Sequence, residues 1–177
     1  MRTAKWAGLF GFLLLASCVY YEVVPAQDSL AVGETVRVDI YLHHCWHFEL
    51  FGKEIYKCKD TSDVYGVGFD LNYDSSILQY QDIDLSNSVL SGATAVVGFR
   101  NSSSDNGKLV VGVSKQGQVS GEPGEGIIAT IILQANSSGT VELTLDDPYL
   151  LDSQGNFYVG WPFYWAGLKG SSITVNP

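Results

Sequence analysis

Strict alternation of apolar and polar residues is the feature that most restricts how this chain can fold. From Thr35 to Leu42, every second residue is a branched apolar one, and the residues between them include threonine, arginine and aspartate. Residues 64–73 alternate in the same way. A period of two residues is that of a β-strand with one buried face, whereas a helix would need a period of 3.6. No helical period occurs after residue 18, so the chain is predicted to be all-β.

Further runs rich in β-branched residues are separated by turns of glycine, serine, asparagine and aspartate, which is typical of a sandwich or barrel. The predicted strands are 35–42, 64–73, 77–85, 93–100, 108–114, 126–134, 141–145 and 172–175. Alternation predicts two sets of core residues: Val67, Phe69, Leu71 and Tyr73, and Ile127, Ala129, Ile131 and Leu133. Asp146 and Asp147 are expected to open a turn before Pro148.

The first residues have the organisation of an export signal. Arg2 and Lys5 precede an apolar stretch, Trp6 to Leu15, that is shorter than the about 20 residues of a transmembrane helix. The run Leu15-Ala16-Ser17-Cys18 resembles a bacterial lipobox, in which the cysteine becomes the lipidated first residue of the mature protein. The resemblance implies removal of residues 1–17. The alternatives are an ordinary signal peptide and an uncleaved anchor.

Lipidation of Cys18 implies a protein that is exported and anchored to the cell envelope by its N-terminal lipid. Val19 rather than an aspartate follows the cysteine, which by resemblance to sorting signals implies the outer membrane in an organism with two membranes. Residues 18–26 are predicted to be a short tether or already the first strand. Residues 27–177 are predicted to form one domain.

Two cysteines remain once Cys18 is lipidated. Cys45 and Cys58 are separated by 12 residues, and a disulfide is the natural expectation for a pair in an oxidising compartment. The rival is a metal site, because imidazole and thiolate form a zinc-like ligand set at His43, His44, Cys45 and His47. No second ligand pair has recognisable spacing, so we predict the disulfide, no metal and no cofactor. The segment 43–63 is interpreted as an inserted hairpin or flap stapled by this disulfide.

The charge of the chain excludes some partners. Of 10 basic residues, two lie in the predicted signal, which leaves 8 against 19 acidic ones and a net charge of about −11. Such a surface repels nucleic acid and anionic lipid headgroups. We therefore expect no nucleic-acid partner and membrane contact through the N-terminal lipid only. The protein is also predicted to be a monomer.

Four runs resemble, in family order, the cohesin domain of cellulosome scaffolds. They are VGETVRVD at 32–39, GFDLNYDSSIL at 68–78, GEGIIATI at 124–131, and LDSQGN at 151–156 followed by SITV at 172–175. Together they extend over nearly all of residues 27–177. The resemblance implies a nine-stranded jelly-roll β-sandwich that has no catalytic activity. It also implies a receptor for dockerin modules, which polysaccharide-degrading enzymes can carry.

The chain departs from this family on the strand 64–73. The family's usual members present an asparagine and an aspartate on its outward face to hold the dockerin, and the aligned positions here are Gly66 and Gly68. The outward polar residues that remain are Asp70 and Asn72. The resemblance therefore supports the fold more firmly than the partner.

One binding face is predicted on the strand 64–73 and its neighbours. Alternation turns a set of residues outward: Gly66, Gly68, Asp70 and Asn72, and from the strand 126–134 Ile128, Thr130 and Ile132. Exposed Ile128 and Ile132 would form an apolar patch of the kind that marks partner sites. The other interpretation is that a loop or the flap covers them.

An aromatic cluster near the end of the chain supports an alternative function. Trp161, Tyr164 and Trp165 surround Gly160 and Pro162, and exposed flat rings could stack on a polysaccharide, as in a carbohydrate-binding module. The competing interpretation is that they cover the end of the sandwich as core. A third possibility is a structural envelope lipoprotein without a soluble ligand.

Signs of catalysis are missing from the sequence. It contains no Gly-x-Ser-x-Gly elbow, phosphate loop or His-Glu-x-x-His motif. The acid pairs Asp82/Asp84 and Asp146/Asp147 are interpreted as solvated surface. The protein is therefore predicted not to be an enzyme.

Overall fold

The computed structural model describes residues 19–50, 53–58, 62–100, 107–157 and 167–177, where the chain consists of strands and turns. Across these ranges no helix is long and apolar enough to cross a membrane. The described residues form thirteen strands: β1 (Tyr20–Pro25), β2 (Ser29–Ala31), β3 (Thr35–His43), β4 (Cys45–Leu50), β5 (Lys53–Cys58), β6 (Val64–Asn72), β7 (Leu78–Asp84), β8 (Thr94–Arg100), β9 (Lys108–Ser114), β10 (Gly126–Ala135), β11 (Gly139–Asp152), β12 (Gly167–Lys169) and β13 (Ser171–Asn176).

Two sheets pack face to face, which confirms the predicted β-sandwich. The five-stranded sheet has the order β12-β1-β3-β10-β7, and the six-stranded sheet has the order β2-β13-β11-β6-β9-β8. Their inner faces share one hydrophobic core. Tyr21 of β1 meets Phe69 of β6 across this core, with the ring centroids 6.3 Å apart. Apart from the short β2 and β12 and the hairpin β4–β5, nine strands make up the sandwich.

Alternation in the sequence produces the core, because successive side chains of a strand point to opposite faces. The core residues predicted for β6, from Val67 to Tyr73, are all buried, and so are Ala129, Ile131 and Leu133 of β10. Ile127, which was expected inside with them, is only half-buried.

The predicted exposure of Ile128 is wrong. Ile127 pairs with Tyr41 of β3 and Ala129 with the adjacent Ile40, so β10 carries one extra residue at this point. Such a β-bulge shifts the alternation by one position. Ile128 is consequently buried in the core with no exposed surface.

One predicted strand end is also wrong. The strand predicted at 141–145 does not end in a turn at Asp146, because β11 continues through Pro148 to Asp152. Of the two alternatives for residues 18–26, the first strand is confirmed where these residues are described, since Tyr20 to Pro25 form β1 and Tyr21 is fully buried. Cys18 lies outside the described residues.

The hairpin β4–β5 forms a two-stranded sheet of its own within the predicted insertion. Its register sets Cys45 directly opposite Cys58. Opposite residues of an antiparallel pair have Cα atoms about 4.5–5.5 Å apart, and this falls within the about 4.4–6.8 Å spacing that a disulfide requires. The backbone is therefore compatible with the disulfide, which stays a prediction.

We expect neither cysteine of this pair to react when the unreduced protein is unfolded and treated with a thiol-alkylating reagent. Closing a loop of this length contributes about 3 kcal/mol in the chain-entropy model, so Cys45→Ser should loosen the hairpin. Because the loop is local, the sandwich should keep most of its stability. Alkylation of both cysteines without reduction would contradict the prediction.

Candidate functional site

The residues predicted to share one binding face lie on two opposite surfaces. β6 belongs to the six-stranded sheet and β10 to the five-stranded sheet, so their outward residues point away from each other. Gly66, Gly68, Asp70 and Asn72 therefore cannot form one surface with Thr130 and Ile132. The prediction of a single face is wrong, since alternation separates inside from outside but does not identify the sheet to which a strand belongs.

The outer face of the five-stranded sheet is polar and internally paired. The Thr130 hydroxyl donates to the Asp39 carboxylate at 2.6 Å, and Thr130 is almost fully buried, so the prediction that it is an outward contact is wrong. Arg37 forms an ion pair with Asp84 at 2.7 Å, and its hydrogen bond lowers the pKa of Asp84 to about 2. Ile132, opposite Arg37, is half-buried. Tyr20 and Tyr41, which also lie on this face, both stack on His43 and are half-buried rather than exposed.

The outer face of the six-stranded sheet has a different character. One row of paired residues crosses four strands: Tyr149 of β11 lies opposite Gly68 of β6, Gly68 opposite Gly112 of β9, and Gly112 opposite Val96 of β8. Together with Phe157, whose ring contacts that of Tyr149, this row is named here the tyrosine face. Gly66 lies one row further along and is buried.

The ring of Tyr149 lies across the two glycines of this row. A Cβ atom at Gly68 would overlap the Cε1 and Cζ atoms of the ring, and one at Gly112 would lie 3.2 Å from the hydroxyl oxygen. The two positions thus form a floor without side chains, over which the half-buried ring extends towards β9. Glycine is required at 68 by this close approach.

Exposed apolar side chains flank the ring. Val96 is 75% exposed and Phe157 is 68% exposed. Phe157 meets Tyr149 edge-on, with centroids 6.4 Å apart and ring planes at 73°. The row therefore has an exposed apolar side chain on each side of the Tyr149 ring, and contiguous exposed apolar surface is a feature of partner sites.

A second β-bulge turns Tyr149 outward. Asp146 pairs with Asp70 and Tyr149 with Gly68, so β11 advances by three residues where β6 advances by two. Asp147 occupies the bulge with a φ of 46°, a left-handed conformation that aspartate tolerates better than most residues. Without the extra residue, alternation from exposed Asp146 would turn Tyr149 into the core. Sequence reasoning missed Tyr149, although the Asp147-Pro148 pair was a signal for irregular backbone.

A buried hydroxyl fixes the backbone at this bulge. The Tyr21 hydroxyl, reaching across the core from β1, donates to the Tyr149 carbonyl oxygen at 2.9 Å. Tyr21 is fully buried, and burial raises its pKa above the ordinary value. The hydrogen bond therefore connects the inner side of one sheet to the tyrosine on the outer side of the other.

We expect Tyr21→Phe to lower the free energy of unfolding by about 1–2 kcal/mol, because it leaves the Tyr149 carbonyl without its buried donor. The control is Tyr65→Phe, which removes a hydroxyl donated to the Gly117 carbonyl at 2.6 Å in an exposed position where water can replace it. Urea denaturation of both variants measures the difference. Equal losses, or none for Tyr21→Phe, would contradict the account of this bond.

An acidic border lies next to the tyrosine face. The Lys108 ammonium donates to Asp70 at 3.0 Å and lies 3.8 Å from Asp146, whose carboxylate also accepts a hydrogen bond from Asn72 at 2.9 Å. The hydrogen bond to Asp70 raises the pKa of Lys108. Asp70 is only 6% exposed, so the expectation that it is a free outward contact is wrong. Asp146 remains largely exposed.

The histidines near the hairpin are engaged by carboxylates. The Nε2 atom of His43 lies 3.1 Å from Glu22, and its Nδ1 atom 3.3 Å from Glu125, which also accepts the His44 backbone N–H at 2.7 Å. Where side chains are described, no three histidine, cysteine, aspartate or glutamate residues gather around a metal position. The side chains of Cys45 and His47 are not among those described. The metal alternative therefore gains no support from His43 and His44.

Four predicted positions lie outside the described residues. They are the lipidation site Cys18 and the aromatic residues Trp161, Tyr164 and Trp165. The lipid anchor and the carbohydrate platform stay predictions.

Comparison with protein families decides the family. The family model for the cohesin domain matches residues 55–157, which is more than half of the chain. The chain belongs to the cohesin family. The matched region contains β6, β8, β9 and β11, the four strands whose paired residues form the row of the tyrosine face. No curated protein matches the sequence.

Solved cohesin structures have the same fold at low sequence identity. A cohesin module from a family 33 glycoside hydrolase of Clostridium perfringens has 13% identity and a TM-score of 0.63, over 90% of this chain and 98% of that one. A type II cohesin domain from the cellulosome of Acetivibrio cellulolyticus has 15% identity and a TM-score of 0.58, over 88% and 95%. The sixth cohesin of scaffoldin B from Acetivibrio cellulolyticus, solved in complex with the Cel5 dockerin, has 16% identity and a TM-score of 0.55, over 89% and 99%.

Proposed function

We propose that this cohesin domain is a non-catalytic docking module that binds a dockerin-type module through the tyrosine face. The observation that carries the proposal is the family match over residues 55–157, which includes every strand of that face. A cohesin solved in complex with a dockerin has the same fold as this chain. The proposal extends that partner class to this protein.

The choice of face follows from exposure and pairing. Val96 and Phe157 leave apolar surface exposed to solvent beside Tyr149. On the outer face of the five-stranded sheet, polar side chains bind one another, as in the ion pair between Arg37 and Asp84. Apolar area removed from water is the main favourable contribution to association. The tyrosine face therefore suits a partner better than the opposite surface.

The acidic border favours a partner with basic side chains. Asp70, Asp146 and Asp147 all attract the Lys108 ammonium electrostatically, and three carboxylates beside one ammonium leave the border negatively charged. Asp146 is largely exposed. The whole chain has a formal net charge of −9. A partner with an apolar centre and basic side chains at its rim would complement this surface and be steered towards it.

The test is titration calorimetry of the purified domain with recombinant dockerin modules encoded in the source genome. We expect at least one of them to bind saturably with one-to-one stoichiometry. Absence of binding to every dockerin would contradict the docking function. Retardation of the domain by plant polysaccharides, lost in Trp161→Ala or Trp165→Ala, would then favour the carbohydrate-binding alternative.

We also propose that Cys18 carries a lipid that anchors a monomeric domain to the cell envelope. The lipobox-like run supports this, and only Val19 separates Cys18 from β1, so the sandwich would begin close to the lipid. Intact-mass analysis of the protein extracted from membranes tests the anchor. A chain that starts at another residue, or that lacks acyl mass, would contradict it.

A further inference from the structure

We infer that Gly68 and Tyr149 are a matched pair that determines which dockerin-type module the tyrosine face accepts, an inference that rests on the proposed function. The pair is matched because the ring occupies the space that any side chain at position 68 would need. A chain can therefore carry the ring over β6 or a side chain on β6, but not both.

This exclusion defines the chemistry of the partner. Where Tyr149 covers Gly68, β6 offers neither a polar side chain nor an accessible floor at the centre of the face, and Asp70 is already bonded to Lys108. The centre presents an aromatic ring flanked by exposed Val96 and Phe157. A dockerin-type module that places aliphatic or aromatic side chains there fits this surface. A module that relies on polar side chains at that point would leave them without partners at a cost in affinity.

The ring is held in place before any partner arrives. The bulge at Asp147 directs Tyr149 outward, the Tyr21 hydroxyl holds its carbonyl, and Phe157 meets the ring edge-on. A rigid aromatic anchor loses little conformational entropy on binding, and such residues dominate the energy of many interfaces. Tyr149 therefore has the properties of a specificity-determining residue.

A double-mutant cycle tests the pair. The proteins are wild type, Gly68→Ala, Tyr149→Ala and the double variant, each titrated with the dockerin modules that bind the wild type. The matched control is Gly98→Ala on β8, where an added Cβ would meet no atom closer than 3.9 Å. Tyr149→Phe keeps the ring and removes only the hydroxyl. Thermal unfolding of every variant reports whether the fold is retained.

We expect Gly68→Ala and Tyr149→Ala each to weaken binding about tenfold or more, as removal of an interface anchor does. The double variant should bind as Tyr149→Ala does, because the added Cβ then has room. Gly98→Ala should stay within about twofold of wild type, since a change without a lost contact is nearly neutral. Tyr149→Phe, which keeps the ring, should weaken binding less than Tyr149→Ala does. The ranking of dockerins by affinity should change in Tyr149→Ala and be unchanged in Gly98→Ala.

The outcomes separate this inference from the function on which it rests. If the wild type binds a dockerin and Tyr149→Ala binds the whole panel with unchanged affinity and ranking, the matched pair is wrong and docking stands. Additive effects in the double variant would also contradict the pair. If the wild type binds none, both are wrong. Should Gly68→Ala fail to fold, the double variant decides, because the pair predicts that removing the ring restores the fold, and a double variant that also fails to fold would contradict it.

Discussion

Replacing Phe69 with alanine is expected to lower the free energy of unfolding by about 3–5 kcal/mol, the usual range for removing a fully buried phenylalanine. Phe69 lies on the inner face of β6 with 1% of its surface exposed, and its ring meets Tyr21 of the opposite sheet. The substitution would leave a cavity between the two sheets, where the surrounding strands are held by their hydrogen-bonded neighbours and can close it only in part.

The measurement is urea denaturation, read as the free energy of unfolding at an unchanged slope. A domain of this size has about 5–15 kcal/mol of stability, so the loss should move the midpoint strongly. Phe99→Ala is the matched control, because Phe99 is 56% exposed and meets Tyr80 edge-on at 5.3 Å near the open side of the sandwich. It should lose less than half as much stability. Equal losses would contradict the position of Phe69 at the centre of the core.

Val96→Asp is expected to weaken dockerin binding by about 30-fold, equivalent to about 2 kcal/mol at an interface anchor. Val96 is 75% exposed on β8, in the same row as Tyr149, Gly68 and Gly112. A carboxylate at this position would be buried without a partner in the complex. In the free domain it would stay in water, so the fold should be unaffected.

The control for this change is Thr35→Asp, which adds the same charge at an exposed position on β3 of the five-stranded sheet. Calorimetry with the dockerin that binds the wild type should show nearly unchanged affinity for Thr35→Asp. Unfolding midpoints of both variants should stay close to wild type, because exposed substitutions usually change stability by less than about 0.5 kcal/mol. Equal weakening by both variants would indicate general charge repulsion rather than a defined face.

The sequence was sufficient to predict eight of the thirteen described strands, at least in part, and much of the core. Alternation placed Phe69 and Leu71 inside because a strand with one buried face repeats every two residues. The same rule failed at Ile128, where one extra residue in β10 shifts the alternation. A bulge is an extra residue relative to the neighbouring strand. The sequence of one strand does not show which residues of the neighbouring strand it pairs with, so alternation alone does not reveal the bulge.

The candidate site was predicted only in part. The strand 64–73 lies between β11 and β9 in the six-stranded sheet, but Ile132 was assigned to the same face although its strand lies in the other sheet. Tyr149 was missed because a turn was expected at Asp146, and the bulge at Asp147 continues the strand instead. Which residues meet on a surface depends on sheet order, and alternation does not specify that order.

The most direct test of the docking account is the footprint of a bound dockerin on the isotopically labelled domain. Backbone amide resonances are compared by NMR before and after saturation with a dockerin that binds in calorimetry. The account predicts the largest changes at Gly68, Val96, Gly112 and Tyr149, with the five-stranded sheet unaffected. Changes concentrated at Arg37, Thr130 and Ile132, with the tyrosine face unaffected, would contradict it.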